Sequence, residues 1–109
     1  MNYSLKESDW KKFRSKISGW QENYMDRLCK EYIELLSQDS APSERFWALE
    51  KRIYTDKKAK GVSCMLSRSS MCSCIADLLD EKAITVADLD EFSDELKAWV
   101  NEFMNEDTQ

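Results

Sequence analysis

Apolar residues recur at helical spacing through almost the whole chain, and the clearest run is the last. Over residues 85–104, Leu89, Phe92, Leu96, Trp99 and Phe103 follow one another at steps of three and four, which places all five on one stripe. Thr85 with Asp88 three residues on predicts a capping-box start, and Asp90 and Glu91 favour the early turns through the macrodipole. The spacing predicts one continuous helix of about 30 Å. Five large side chains, each worth about 1.5–3 kcal/mol on burial, then require a partner surface.

The rest of the chain reads as that surface. Over residues 8–37, Trp10, Phe13, Ile17, Trp20, Tyr24, Leu28 and Leu35 form a first long stripe. A second set, Met25, Cys29, Tyr32, Ile33 and Leu36, widens it toward more than one neighbour. Ser18-Gly19 is where a bend or break is expected, because glycine weakens a helix interior. A linker around Pro42 leads to a second helix over residues 44–59, with Ser43 as N-cap and Phe46, Leu49 and Ile53 turned inward. Trp47 and Tyr54 lie to one side of that stripe. Lys57, Lys58 and Lys60 complement its C-terminal dipole, and Gly61 occupies the position of a C-terminal cap. A third helix begins at Ser63 or Ser67 and ends near Glu81, with Met71, Ile75, Leu78 and Leu79 inward. The fold class is therefore all-α, an antiparallel bundle of about four helices. A single domain is expected over residues 1–109, with short disordered ends near 1–6 and 105–109.

Composition agrees. Two glycines and one proline leave little room for hairpins. No segment is apolar for long enough to cross a bilayer, and the first ten residues lack the apolar stretch of a secretory signal. A cytoplasmic location is expected, with the four cysteines as free, buried thiols. The net charge of −5 is uneven: residues 1–60 carry 13 Lys/Arg against 10 Asp/Glu, and residues 61–109 carry 3 against 11. Attraction between the two halves within the chain is the first reading of that asymmetry.

Candidate chemistry is sparse. With no histidine, the His-dependent nucleophilic sites and most catalytic zinc sites are excluded, and Gly19 and Gly61 stand too far apart for a phosphate loop. No catalytic residue and no cofactor are predicted. Cys72 and Cys74, two apart on a helix, point about 200° away from each other, and Cys64 lies about 12 Å from Cys72 along the axis, so no metal site is predicted. The carboxylates from Asp88 to Glu95 lack a calcium-loop pattern. The one basic candidate joins Lys57, Lys58 and Lys60 to Ser67, Arg68 and Ser69, where a helix N-terminus near Ser67 would hold a small anion.

The stretches "ERFWALEKRIYTDKKAKGV" from Glu44, "SRSSM" from Ser67 and "LDEFSDELK" from Leu89 resemble a group of short uncharacterised helical proteins of Gram-positive, often gut-dwelling, bacteria and their mobile elements. Some of those proteins are labelled multidrug transporters, a label that suits a chain without a membrane-spanning segment badly. "SSMCSCIADLL" is richer in cysteine than that group at this place. The resemblance implies a small cytosolic helical protein, of a kind carried by phages and mobile elements, and implies no activity.

The sequence thus points to a small acidic, non-enzymatic protein whose work is to bind another protein. Its contact surface is expected at the aromatics Trp47 and Tyr54, or at the acidic face Asp88, Asp90, Glu91, Asp94 and Glu95. One alternative is an anti-defence, anti-CRISPR-like inhibitor that uses the acidic helix as a nucleic-acid mimic. Another is a small-molecule or nucleotide sensor built on Lys57 to Arg68. A homodimer through the broad face of the first helix is a third. Neither a membrane partner nor direct nucleic-acid binding is predicted, since the basic charge is too small for a nucleic-acid groove.

Overall fold

The computed structural model describes residues 5–107, so the expectations for residues 1–4 and 108–109 lie outside the described residues. Four α-helices follow in order: α1 (Glu7–Leu36), α2 (Pro42–Asp56), α3 (Met71–Asp80) and α4 (Asp94–Asp107), with a 3-10 turn at Val86–Leu89 before α4. The described residues hold no strand, and the all-α expectation is met.

The molecule has two parts, both built on α1. Its N-terminal half packs with α3 and α4 around one core, in which Phe13, Met71, Ile75, Leu78, Leu89 and Leu96 are fully buried. Trp10, Ile17, Trp20, Cys74, Ile84, Phe92 and Val100 complete that core. Beyond Arg27 the C-terminal part of α1 leaves this core and pairs with α2, which turns back through residues 37–41 as a helical hairpin. The long axis is therefore 53 Å against 32 and 22 Å. The radius of gyration is 16.6 Å, where a compact chain of this length has about 13 Å.

Side chains spaced three apart on α1 fasten the two parts together. Gln21 Nε2 donates to the Lys60 carbonyl at 3.0 Å, and Arg27 donates to the Lys82 and Glu81 carbonyls at 2.9 and 3.2 Å, closing the C-terminal end of α3. Tyr24 lies between them under the buried Gly61, and the Arg27 guanidinium stacks on its ring at 4.8 Å. From the other side, the Glu81 carboxylate accepts the Lys60 and Gly61 amides at 2.9 and 3.0 Å.

Several element boundaries differ from expectation, each for a local reason. α1 runs unbroken through Ser18-Gly19, because Gly19 faces open space and one glycine costs a 30-residue helix only about 1 kcal/mol. α2 begins at Pro42 instead of Glu44, using the proline at N1, where its missing N–H is harmless. Gly61 is not a left-handed cap. No glycine has positive φ, and residue 61 is small because the Tyr24 ring lies on it. α3 begins only at Met71, which leaves Cys64 and Ser67–Ser69 in the connection. It ends in a Schellman motif: Ala83 N–H donates to Leu78 C=O at 2.9 Å and Lys82 N–H to Leu79 C=O at 3.0 Å, with Lys82 at φ 61°.

The largest correction concerns the last helix. The expected continuous helix over residues 85–104 is two pieces, although the Thr85–Asp88 capping box forms as predicted. Asp9, fully buried in the first turn of α1, causes the break. Its carboxylate accepts the Ser93 backbone N–H at 2.9 Å and the Ser93 hydroxyl at 2.6 Å, and Ser93 Oγ in turn accepts the Leu96 amide at 3.2 Å. Ser93 is thereby the N-cap of α4. α4 itself continues through Asp107, beyond the expected ordered limit.

Candidate functional site

α2 has no buried residue. It meets α1 through its half-buried Arg45, Ala48, Leu49, Arg52 and Asp56, which recur at three- and four-residue steps and form its inner side. Polar bonds hold the two helices together: Arg52 Nη2 to Glu31 Oε1 at 2.8 Å, Tyr32 Oη donating to Asp56 Oδ2 at 2.6 Å, and Arg45 Nη1 to the Leu36 carbonyl at 2.7 Å. Burial, then the bond to Asp56 and its charge, push the Tyr32 phenol up to about 12.

The opposite side of the hairpin is apolar and wet. Phe46 and Ile53, expected to turn inward, are exposed, as are Trp47, Tyr54 and, on α1, Ile33 and Leu36; all six lie between 42% and 64% exposed. Cys29, Ile33 and Leu36 follow at helical steps on α1, as Phe46 and Ile53 do seven apart on α2. A shallow groove of about 210 Å³ joins the helices at the base of this face, lined by Met25, Cys29 and Tyr32 from α1 and Ile53 from α2. Phe46 and Trp47 stack edge to face at 4.9 Å near the tip. Trp47 and Tyr54, expected in a contact surface, are thus exposed and joined by four apolar neighbours that periodicity alone assigned to the core.

The acidic candidates are distributed differently from a single helix face. Asp88 serves the 3-10 turn by capping Thr85, and Asp90 closes that turn. Glu91 pairs with Lys16 at 3.0 Å and accepts Lys12 at its carbonyl; Glu95 pairs with Lys6 at 3.1 Å and Asp94 with Lys97 at 3.8 Å. The Lys16 ammonium holds the Glu91 carboxyl below its ordinary range, and the Glu95 carboxyl is lowered by its own backbone N–H and then by Lys6. Lys6, Lys16 and Lys60 of the first part of the chain thus pair with Glu95, Glu91 and Asp77 of the second, the direction that the charge asymmetry suggested.

The six anion-site candidates are engaged in four different places. Lys57 and Lys58 lie over the Tyr54 ring at 5.4 and 4.3 Å, and Lys60 pairs with Asp77 at 3.4 Å. Arg68 pairs with Glu7 at 2.7 Å and covers Trp10, while the Ser67 hydroxyl bonds Ser70 at 2.6 Å and faces Ser69 at 3.5 Å. A second cavity, of about 350 Å³, lies between α3 and α4 and is lined mainly by Leu79, Ile84, Val86, Leu89, Val100 and Met104.

The thiols are less uniform than expected. Cys74 is buried, Cys64 and Cys72 are half-buried, and Cys29 is exposed. Cys64, in the connection, meets Cys74 with 2.7 Å between sulfurs. Burial and the nearby Asp9 charge raise the Cys72 thiol to about 11, and burial with Cys64 alongside raises Cys74 further. Among the described residues, no three cysteine or carboxylate side chains are grouped to hold a metal ion, and no helix is long and apolar enough to cross a membrane.

Sequence reasoning missed Asp9, Ser93 and Glu81 as organising residues. The signal for the first pair was available in Ser93-Asp94-Glu95, an N-cap followed by acidic first-turn residues. Compared with known proteins, the chain matches no family model, no curated protein and no solved structure.

Proposed function

We propose that this chain is a non-enzymatic protein-binding protein and that its contact surface is the apolar face of the α1–α2 hairpin. The observation that carries this reading is a 15-residue helix with no fully buried residue that exposes three aromatics and Ile53 beside Ile33 and Leu36. At the recorded exposures, the six side chains leave about 600 Å² in water, the upper end of what a monomer tolerates as one patch. Aromatics already held in place also lose little conformational entropy on binding.

The nucleic-acid-mimic reading has less support. Its carboxylates fall on two elements, and three of the five meet lysines within the chain. The sensor reading would need the lysines and Arg68 to share a ligand, and they serve different partners.

A photo-crosslinking residue placed at position 47, and a control placed at Asp88, test the proposal in the living host. Adducts at 47 that disappear with Ile53→Lys are expected, with little change between low and high salt. Adducts confined to position 88 and lost at high salt would overturn it in favour of the acidic surface.

A further inference from the structure

Resting on that reading, we infer that the occupant of the hairpin face is a second copy of the chain, packed antiparallel on the first. A two-fold contact uses one patch twice, so each charge on it must meet its opposite on the same patch after rotation. The hairpin satisfies that condition. Its tip is acidic, with Glu34, Asp39 and Glu44, and its base is basic, with Lys57 and Lys58. None of these five forms an ion pair among the described residues. Glu44 lies in the first turn of α2 and Lys58 two residues beyond its C-terminal end, so the two charges bracket the helix lengthwise. Reversing one hairpin over another lays each acidic tip on a basic base.

The hairpin is also nearly neutral as a whole. Residues 22–58 carry eight acidic and seven basic side chains, whereas residues 61–109 carry eleven against three. Two copies can therefore approach through the hairpin without the repulsion they would meet through α4. The area is of the right size. About 600 Å² from six apolar side chains, with the flanking charges and the groove at Met25 and Cys29 added, approaches the roughly 800 Å² per partner of a stable interface. The outcome is a four-helix layer made of two hairpins, with a core at each end of the long axis.

Sedimentation equilibrium of the full chain, from about 1 to about 200 µM, reads the result. The expected mass rises from 12.8 kDa toward twice that value. Ile53→Lys and Trp47→Lys, each checked for unchanged helicity, should stay at the lower mass throughout. Glu44→Lys or Lys58→Glu alone should weaken association about tenfold, because each substitution acts twice in a two-fold dimer, and the double reversal should restore it. A chain that stays at 12.8 kDa at every concentration overturns self-association while leaving the crosslinking result at position 47 to judge the binding face separately. A dimer unaffected by Ile53→Lys, or single charge reversals without effect, overturns the inference as well.

Discussion

Asp9→Ala removes the one fully buried carboxylate of the described residues, and the main part of its cost can be worked from its two bonds to Ser93. Two charge-assisted bonds to Ser93 are lost, each worth about 1.5–3 kcal/mol net. The Ser93 amide and hydroxyl are left facing a vacated space, while the cost of burying a carboxylate is recovered. The balance is a loss of about 3 kcal/mol, a large part of the roughly 5–15 kcal/mol that holds a domain of this size. Asp9→Asn keeps the volume and one acceptor and should lose about half as much. Urea unfolding followed by tryptophan fluorescence measures both, and the thermal midpoint of Asp9→Ala should fall by more than about 10 °C. Ser93→Ala should be coupled to it by about 1–2 kcal/mol in a double-mutant cycle. If Asp9→Ala lies within about 0.5 kcal/mol of the parent, or the two substitutions simply add, Asp9 is not what starts α4.

Three further outcomes follow from single positions. Lys82→Gly should raise stability by about 0.5–1 kcal/mol in the same urea assay, since the residue sits at φ 61°. Gly61→Ala should lower it by about 1–3 kcal/mol, because a Cβ there comes within 3.0 Å of three ring carbons of Tyr24. The folded-state pKa of Tyr32 lies above the ordinary 10, so its contribution to stability is complete below pH 10 and is lost as pH rises toward 12. Tyr32→Phe should flatten that part of the stability curve, and ultraviolet titration should lose its last-ionising phenol.

How far the fold was legible depends on what a periodic pattern measures. Trp10, Phe13, Ile17 and Trp20 were assigned to a core and form one, because a long stripe of large residues admits no other stable placement. Leu89, Phe92 and Leu96 were also assigned correctly, yet the helix around them was not. The four-residue step from Phe92 to Leu96 survives the break at Ser93, so the stripe stays in phase across two elements. Ser93 caps α4 locally through the Leu96 amide, but the bonds that Asp9, 84 residues away, makes to it lie outside any local window.

Phe46 and Ile53 show the deeper limit. Their spacing placed them on an inward stripe, and both are exposed, because periodicity cannot say whether the same molecule supplies a neighbour for that side. Here α3 and α4 are spent on the N-terminal half of α1, and just past its middle Tyr24 meets Gly61 and Arg27 holds the Glu81 and Lys82 carbonyls, beyond which the remaining α1 turns leave the core. One 30-residue helix thus serves two layers, about 45 Å long in all, and the chain holds helices enough to finish only one of them. The polar bonds of Arg52 and Tyr32 keep α2 in register on α1 without consuming its apolar side. The exposed apolar side of α2 is thus a consequence of the fold's layout, and it is the surface on which the proposed contact rests.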